Sequence, residues 1–486
     1  MPEPTRDTIF ALSSGRPPAA IAIIRMSGPR AGAALRALSG KVPAPRKAAL
    51  ARIRDPQTAE IIDEALALWF PAPHSETGED IAELQLHGGR AVIAAVLAAL
   101  SRVEGLRPAE AGEFTRRAFE NGKLDLTAVE GLADLVAAET QGQRRQALRQ
   151  MQGALGTPVE AWRARLIQAL ALVEAAIDFS DEADVPDNLL APALTIAREL
   201  ETEIAAALED GGRGERLRDG IVVAIAGPPN AGKSTLLNRI ARREAAIVSP
   251  YAGTTRDVIE VHLDLGGWPV TLLDTAGIRD TQDPVELEGV KRAQARAESA
   301  DLVLWIVDAS DLAANSGKLA KKTESSPPTW LIRNKIDLLP DHKNEQEREN
   351  IDKNEVKINP TKLLKNLANK ELQYKNEHEI TKNELEYSMS SITGEGFESL
   401  LGQMARQAEK FLAGSESALV TRARHRHALE EVQAALRRAQ NDQVTGKEDL
   451  LAEELRIAAR ALGRLTGRVD VEHILDVIFR DFCIGK

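Results

Sequence analysis

The sequence is poor in the features that mark several classes of protein. It has a single cysteine, Cys483, so it cannot form an internal disulfide, as is typical of a protein from a reducing compartment. It has no run of about 18 uncharged apolar residues, which a membrane-spanning helix needs, and residues 1–7 do not resemble a signal peptide. The formal net charge of −11 argues against binding nucleic acid through bulk positive charge. We therefore expect a cytoplasmic protein without a membrane anchor.

Aromatic residues are also scarce, at 3%, so any hydrophobic core is built mainly from Ala, Leu, Ile and Val. Hydrophobic residues make up 43% and charged residues 28%, a balance typical of a folded globular chain. At about 150 residues per domain, 486 residues predict roughly three domains.

The residue pattern changes along the chain and indicates a multidomain protein. Residues 1–120 combine predicted strands at 21–24 and 83–87 with a predicted helix at 91–100, which indicates an α+β domain. Residues 217–413 contain short apolar strands that end in polar loops. Residues 121–216 and 414–486 are predicted to be helical, because apolar residues recur there every three or four positions: Trp162, Leu166, Leu170, Val173, Ile177, Ile196, Leu200, Ile204, Leu208, Leu429, Val432, Leu436, Leu451, Leu455 and Leu462. The pattern predicts one all-α helical domain interrupted by an inserted α/β domain.

Within the predicted insert, residues 341–386 have a composition of their own. They contain eight Lys and eight Asn but only one Ala and no Gly. Such a polar segment buries little apolar surface, which favours a solvated insertion. A tRNA-binding arm is the alternative.

The clearest chemical signal is residues 227–234 (GPPNAGKS), which match the GxxxxGKS phosphate-binding loop. The loop follows an apolar segment at 221–225 and precedes a helix-like segment at 235–238, the context that this motif needs. Its glycines let main-chain N–H groups surround phosphates at a helix N-terminus. Lys233 adds positive charge at the β- and γ-phosphates, and Ser234 can ligate Mg²⁺.

Three further motifs at suitable distances indicate that the nucleotide is GTP. Residues 274–277 (DTAG) place Asp274 at a strand end near Mg²⁺ and the Gly277 amide near the γ-phosphate. Residues 334–337 (NKID) end in a carboxylate that can accept hydrogen bonds from guanine N1–H and N2–H₂, a pair that adenine does not offer. Residues 253–257 (GTTRD) supply a threonine hydroxyl for Mg²⁺. Together the four motifs predict a P-loop GTPase domain.

These motifs do not identify the catalytic group. Many GTPases have a water-orienting Gln at the position that is Ile278 here, and an isoleucine cannot orient water. Glu286, in the following segment, is a candidate for this role. By its residue type and position alone, it is more typical of a solvated carboxylate at a helix start.

The order of these motifs, the helical segments around them and residues 482–486 (FCIGK) resemble the MnmE (TrmE) family of bacterial tRNA-modification GTPases. Residues 77–80 (TGED), 112–115 (GEFT) and 121–126 (NGKLDL) also resemble the amino-terminal domain of that family. The resemblance covers nearly the whole chain except the Lys- and Asn-rich segment.

The resemblance implies an amino-terminal domain that binds tetrahydrofolate and forms a homodimer, a helical domain and a potassium-stimulated G domain. It implies that the chain acts with MnmG (GidA), as a heterotetramer with FAD and NADH on the partner. The complex would add an aminomethyl or carboxymethylaminomethyl group to C5 of the tRNA wobble uridine. A 5,10-methylene- or 5-formyl-tetrahydrofolate would supply the one-carbon unit, with GTP, Mg²⁺ and K⁺ as the other ligands.

The functional positions of the family can be transferred to this sequence one by one. The resemblance implies Arg25, Glu83, Lys123 and Lys486 for folate, Ser234 and Thr255 for Mg²⁺, and Asn230, Ser249, Tyr251 and Thr254 for K⁺. It implies Glu286 as the catalytic glutamate and Cys483 as a required thiol, for which a small buried apolar residue is the alternative. The implied GTP-binding positions are Asn230, Ala231, Gly232, Lys233, Ser234, Thr235, Ser249, Pro250, Tyr251, Ala252, Gly253, Thr254, Thr255, Asp274, Thr275, Ala276, Gly277, Asn334, Lys335, Asp337, Ser390, Ser391 and Ile392.

One loop departs from the family pattern. The element that supports guanine is Ser390-Ser391-Ile392, without the usual alanine and basic residue. The Ser391 amide can still reach guanine O6, but the aliphatic stem of a Lys or Arg is missing. The departure puts nucleotide affinity in question more than nucleotide identity.

Two other functions fit part of the sequence. A GTP-switched ribosome-assembly factor related to Era or EngA would share the G motifs, but the sequence has no KH-like GxxG module after the G domain and no second P-loop. A folate-binding aminomethyltransferase with a regulatory GTPase is the third possibility.

Overall fold

The computed structural model describes residues 7–178, 189–209, 211–243, 246–247, 260–274, 300–310, 327–339, 385–441, 447–469, 475, 478–479, 482 and 484–485. It divides the chain into two compact units, which are Met1–Ala137 with Ala147–Gly211 and Arg422–Lys486, and Ala138–Gln146 with Gly212–Thr421. The second unit is therefore inserted in the sequence of the first. The finer domain boundaries at residues 120, 216 and 413 stay predictions.

The strands and helices are numbered in the order in which they occur along the chain. The strands are β1 (Thr8–Leu12), β2 (Ile21–Ser27), β3 (Ala49–Arg54), β4 (Ile61–Phe70), β5 (Ile81–His87), β6 (Leu106–Pro108), β7 (Ile221–Ala226), β8 (Ala246–Ile247), β9 (Glu260–Leu265), β10 (Trp268–Asp274), β11 (Leu302–Asp308), β12 (Thr329–Asn334) and β13 (Leu385–Ser388). The helices are α1 (Ala31–Ser39), α2 (Arg90–Ser101), α3 (Glu113–Glu120), α4 (Leu126–Ala137), α5 (Gln141–Met151), α6 (Gly156–Asp178), α7 (Leu190–Glu209), α8 (Gly211–Asp219), α9 (Lys233–Ala241), α10 (Phe397–Leu412), α11 (Ala423–Ala439) and α12 (Glu448–Thr466). The strands predicted at 21–24 and 83–87 and the helix predicted at 91–100 are confirmed.

The first unit begins with a six-stranded sheet in the order β3-β4-β5-β2-β1-β6. Neighbouring strands are antiparallel except β1 and β6, which are parallel. Successive side chains of a strand point to opposite faces, so alternate residues such as Ile24 and Leu84 can share one core. They pack with Leu35 of α1 and Val96 of α2, and the two helices therefore cover one face of the sheet.

Four long helices of the first unit form a bundle. Contacts join α6 to α7, α7 to α11, α11 to α12, and α12 back to α6. Their apolar stripes are buried, as at Leu166, Leu200, Val432 and Leu455. The prediction that the two helical segments of the sequence pack on each other is confirmed. In the part of the chain that the structure describes, we find no helix with the length and hydropathy of a membrane span.

The second unit is an α/β domain around a seven-stranded sheet in the order β13-β12-β11-β7-β10-β9-β8. The strands β10, β7, β11, β12 and β13 run parallel, whereas β9 near one edge is antiparallel to both of its neighbours, β10 and β8. Parallel strands have their carboxyl ends at the same edge of the sheet, the edge at which α/β domains bind ligands. The phosphate-binding loop follows β7, and Asp274 and Asn334 are the last residues of β10 and β12.

Candidate nucleotide and folate sites

The phosphate-binding loop connects β7 to α9, and its shape requires unusual backbone angles. Gly227 has φ +138° and Gly232 has φ +95°, in a region that favours glycine, and Asn230 is left-handed at φ +63°. A Cβ at Gly227 would collide with the Ile306 carbonyl oxygen, and one at Gly232 would collide with Asn334 Nδ2. The loop can therefore approach β11 and β12 closely only because these positions have no side chain.

Lys233 begins α9 and is buried. Its Nζ donates hydrogen bonds of 2.8 Å to the carbonyl oxygens of Gly227 and Pro228, so the ammonium group lies over the loop. The first main-chain N–H groups of a helix have no partner within the helix and carry a partial positive charge. The loop, the ammonium group and the helix N-terminus together form a site for a chain of phosphates.

Asn334, at the end of β12, connects two of the predicted binding segments. Its side chain is buried, and Nδ2 donates to the Ala231 carbonyl oxygen at 2.8 Å. Its Oδ1 accepts hydrogen bonds of 2.9 Å from both the amide and the hydroxyl of Ser391. Asn334 therefore holds the phosphate loop and the 390–392 loop in a fixed arrangement.

Two other residues of this motif, Lys335 and Asp337, differ in their partners. Lys335 has φ +66°, and its Nζ lies 2.7 Å from Asp308 Oδ2 at the end of β11. Burial alone would raise the pKa of Asp308, but hydrogen bonds from Lys335 and Ser310 lower it to about 2. Asp337 Oδ1 is buried, and it has no hydrogen-bond partner among the residues that the structure describes. A carboxylate oxygen in that state can accept a hydrogen bond from a ligand.

The Ser390 side chain binds main-chain amides of the 390–393 loop. Ser390 Oγ accepts from the amides of Ile392 (3.2 Å) and Thr393 (3.1 Å), and the Ile392 side chain is 71% exposed. The amide of Ser391, which the sequence predicts to reach guanine O6, donates to Asn334 in this structure. A guanine O6 would have to share that donor, and the contact stays a prediction.

Two oxygen groups of the predicted magnesium site are described. Ser234 is exposed in the first turn of α9, and Asp274 is buried at the end of β10. Hydroxyl and carboxylate oxygens suit Mg²⁺, which keeps several waters and takes few protein ligands. Among the residues that the structure describes, no cluster of three His, Cys, Asp or Glu side chains could hold a metal.

Several predicted positions lie outside the described residues, and so does the Lys- and Asn-rich segment up to residue 384. They are Ser249, Pro250, Tyr251, Ala252, Gly253, Thr254, Thr255, Thr275, Ala276, Gly277, Glu286, Cys483 and Lys486.

In the first unit, the structure brings together two of the predicted folate residues that are far apart in sequence. Arg25 on β2 lies opposite Glu83 on β5, and Arg25 Nε donates to Glu83 Oε1 at 2.9 Å. The Arg25 guanidinium also pairs with Glu76 at 2.6 Å and lies 5.9 Å from the centre of the Phe114 ring. The result is a half-buried charged pair beside an aromatic ring, on the sheet face opposite α1 and α2.

Lys123, the third predicted folate residue, lies near the same loop. A Cβ at Gly78 would be 3.3 Å from Lys123 Cε. The neighbouring Asn121 holds this arrangement, since its Nδ2 donates to the Thr77 carbonyl oxygen at 2.7 Å. Residues 76–78 therefore contact both Arg25 and Lys123.

Residues near the carboxyl terminus pack on the amino-terminal sheet. Ile484 forms a main-chain bridge with Ala111, and Gly485, at φ +103°, lies so close to Leu12 that a Cβ would collide with its carbonyl oxygen. The predicted tail residues Cys483 and Lys486 are direct neighbours of these two positions in the sequence.

The sequence analysis did not identify Asp308 and Arg239, which contact residues or loops of the predicted nucleotide site. Asp308 holds Lys335, and Arg239 on α9 contacts the 390–393 loop. For Asp308, the signal was a carboxylate at the end of a strand in a predicted parallel sheet. Arg239 has no motif around it.

Comparisons with known proteins agree with the motif order. A family model described as the GTP-binding protein TrmE N-terminus matches residues 8–123, and one described as the MnmE helical domain matches residues 126–483. The tRNA modification GTPase MnmE of Bradyrhizobium sp. (strain ORS 278) is 55% identical over 99% of this chain and 100% of its own length. Its counterpart in Parvibaculum lavamentivorans is 53% identical with the same coverage.

Solved structures of other proteins resemble part of this chain. Era in complex with MgGDPNP and nucleotides 1506–1542 of 16S ribosomal RNA is 25% identical over 38% of this chain and 56% of that chain, with a TM-score of 0.22.

Proposed function

The chain belongs to the MnmE family of tRNA modification GTPases, and from this premise we propose that it hydrolyses GTP during modification of the tRNA wobble uridine. In this proposal it is a cytoplasmic homodimer that acts with MnmG. Together they add an aminomethyl or carboxymethylaminomethyl group at uridine C5. The observation behind the proposal is that the phosphate-binding loop, Asp274 and residues 334–337 lie at the carboxyl ends of parallel strands of one sheet, in a chain that matches its relatives over 99% of its length.

GTP would lie along the carboxyl edge of the second sheet. The phosphates would contact the main-chain amides of the 227–234 loop, and the Lys233 ammonium would turn from the loop carbonyls to the β- and γ-phosphates. The guanine would lie beside Asp337, whose buried Oδ1 can accept from N1–H or N2–H₂. Asn334 and Asp308 support this arrangement because they fix the loops on either side.

Mg²⁺ would be held by Ser234 and Thr255, with Asp274 nearby at the strand end. The ion would supply positive charge to the β- and γ-phosphates. Ser234 and Asp274 support this assignment through their oxygen donors and their positions after β7 and at the end of β10. Ser234 would also fix the metal relative to Lys233, since the two residues are adjacent on α9.

Glu286 would orient the attacking water, because Ile278 cannot. Replacing Glu286 with Ala should lower GTP turnover at least about tenfold with little change in GTP binding, since a lost water-orienting group typically costs 10²–10⁴ in rate. Full turnover in Glu286→Ala would move the catalytic role to another residue.

A potassium ion would neutralise charge on the transferring phosphoryl group. The ligands would be the Asn230 side chain, which is exposed at the top of the loop, and main-chain oxygens of Ser249, Tyr251 and Thr254. Turnover should then be faster in KCl than in NaCl at equal ionic strength, and Asn230→Ala should reduce the difference. Equal wild-type rates in the two salts would discard the potassium site.

Tetrahydrofolate would bind on the amino-terminal sheet at Arg25 and Glu83. A guanidinium can pair with the folate glutamate, and a carboxylate can accept from the pterin N–H groups. The ion pair between the two residues fits such a ligand, because it holds one donor group and one acceptor group side by side. Lys123 would add positive charge, and Cys483 and Lys486 would contribute from the tail, which the contacts of Ile484 and Gly485 hold on this sheet.

The test is the wobble-uridine nucleoside profile of tRNA from a strain that lacks the protein. We expect the C5-modified uridine to disappear and to return with the wild-type gene, but not with a Lys233→Ala gene. A gene lacking residues 483–486 should fail to restore the modification although its purified product still hydrolyses GTP. An unchanged nucleoside profile in the deletion strain would contradict the proposal, and a ribosome-assembly defect with that profile would favour the Era- or EngA-like function.

A further inference from the structure

We propose that Arg239, on helix α9, is a positioning residue that holds the 390–393 loop and thereby sets the affinity for guanine nucleotides. The inference rests on the GTP site proposed above. It concerns a residue that belongs to none of the GTPase motifs.

The Arg239 guanidinium binds three consecutive carbonyl groups of this loop. Its Nη1 donates to the carbonyl oxygens of Ser391 (3.0 Å) and Ile392 (2.7 Å), and its Nη2 donates to that of Thr393 (3.1 Å). The planar guanidinium offers several N–H donors in a fixed geometry, which lets one side chain bind adjacent carbonyls. The contact is therefore more specific than a surface ion pair.

The surroundings of Arg239 are shaped for this contact. The guanidinium carbon lies 5.4 Å from the centre of the Phe397 ring, so an aromatic face supports the cation. Gly394 has φ +91°, and a Cβ at that position would collide with the guanidinium. The loop can reach Arg239 because residue 394 is a glycine.

The loop is held on two sides by different groups. Its carbonyls face Arg239, whereas the amide of Ser391 faces Asn334 Oδ1 and the amides of Ile392 and Thr393 face Ser390 Oγ. Asn334 in turn holds the phosphate loop through Ala231. Arg239 therefore fixes the carbonyl side of a loop whose amide side is connected to the phosphate site.

The contacts of Arg239 compensate for the basic residue that the 390–392 loop lacks. Ile392 occupies the position at which the related loops have a basic residue, and its exposed apolar side chain has no cationic group to offer. Arg239 brings a guanidinium to the same loop from the neighbouring helix, beside a cleft of about 1020 Å³ that Thr235 and Asn238 also line. A loop that is already ordered loses less conformational entropy when the nucleotide binds.

The test compares three variants of the full-length protein: Arg239→Gln, Arg239→Lys and Arg242→Gln. Arg242 is an exposed arginine of the same cleft, so its variant controls for loss of one positive charge. We expect Arg239→Gln to raise the Kd for both GTP and GDP about tenfold, because it removes charged hydrogen bonds. The kcat at saturating GTP should stay within about twofold, because Arg239 contacts the 390–393 loop rather than the phosphates. Arg239→Lys should recover part of the affinity.

Hydrogen exchange provides a second measurement that a general loss of stability would not reproduce. In Arg239→Gln without nucleotide, exchange should accelerate in a peptide covering residues 389–396 and stay unchanged in one covering β7. Unchanged nucleotide affinity in Arg239→Gln would overturn the inference, and so would an equal loss in Arg242→Gln. If the wild-type protein itself fails to bind guanine nucleotides, the proposed function is contradicted, and this inference with it. If the wild-type protein binds them and Arg239→Gln binds them equally well, only the inference about Arg239 is contradicted.

Discussion

The nucleotide site and the candidate folate site are built in different ways. The phosphate loop is formed mainly by main-chain groups within one short segment, and Gly227, Asn230 and Gly232 give it its shape through positive φ angles. The Arg25–Glu83 pair is formed by side chains that come together only through the register of two strands. The first site is therefore encoded locally, and the second depends on the whole sheet.

The difference predicts different sensitivities to mutation. A site made of main-chain amides should tolerate side-chain changes around it but not a change in its backbone angles. A site made of an ion pair should lose its ligand when either charge is removed, while the sheet that carries it remains folded.

In the comparison of these two sites, the larger effect is expected for Gly232→Ala. An alanine would be strained at φ +95°, and its Cβ would displace Asn334 Nδ2 from its position. We expect the Kd for GTP to rise at least about 30-fold, which corresponds to about 2 kcal/mol. Titration with a fluorescent GTP analogue measures this, and Gly212→Ala is the control because a Cβ there meets no atom within 4 Å. Wild-type affinity in Gly232→Ala would show that the backbone angle does not shape the site.

A smaller and separate effect is expected for Arg25→Ala. Loss of a charged hydrogen-bond donor should weaken tetrahydrofolate binding at least about tenfold and leave GTP affinity unchanged. Calorimetric titration with 5-formyl-tetrahydrofolate measures the first, with Arg52→Ala as the control, since Arg52 forms an exposed pair with Glu64 on the same sheet. Equal folate binding in Arg25→Ala and wild type would remove Arg25 from the site.

The smallest effect concerns a buried pair in the helical part of the first unit. His425 Nε2 lies 2.7 Å from Glu130 Oε2, and Arg424 donates two hydrogen bonds to the same carboxylate. Burial lowers the pKa of His425 although Glu130 attracts a proton to it. Burial raises the pKa of Glu130, but His425 and Arg424 outweigh it and hold that pKa below its usual range. The His425 Nδ1 has no partner among the described residues, so we assign a neutral ring that donates through Nε2.

The sign of the pH effect follows from these directions. The unfolded chain takes up a proton on His425 below about pH 6.5 and the folded chain does not, so stability falls as the pH falls through that value. The depressed pKa of Glu130 adds a further loss below its unfolded value. Hydrogen exchange in α4 and α11, corrected for the intrinsic rate, should therefore accelerate between pH 8 and pH 5, by up to about tenfold per unit of pKa shift. His425→Gln should flatten this dependence and His427→Gln, on the exposed side of α11, should not; a flat wild-type profile would contradict the assignment.

The same contrast explains what the sequence could predict. The strands at the phosphate-binding loop and at Asp274 follow from local apolar patterns, and the structure has β7 and β10 there. The bonds from Asn334 to Ala231 and Ser391 join residues that are far apart in sequence, and no local pattern indicates them. Arg239 is missed for the same reason, because its partners belong to a loop that the fold alone brings to α9. The pairing of Arg25 with Glu83 required the register of β2 and β5, so the resemblance could name both residues without showing their ion pair.

We propose that the edge formed by β7, β11 and β12 selects guanine through Asp337, and a substitution of this residue is the sharpest test. Xanthine has a carbonyl oxygen where guanine has its amino group, so the amide N–H group at position 337 should donate to xanthine O2, and its single oxygen can no longer accept from both N1–H and N2–H₂ of guanine. In Asp337→Asn, the Kd for GTP should rise at least about 100-fold and the Kd for xanthosine triphosphate should fall below that for GTP, since a site built to bind a polar group strongly rejects a base that lacks it. An Asp337→Asn protein that is folded and still prefers GTP would contradict the account.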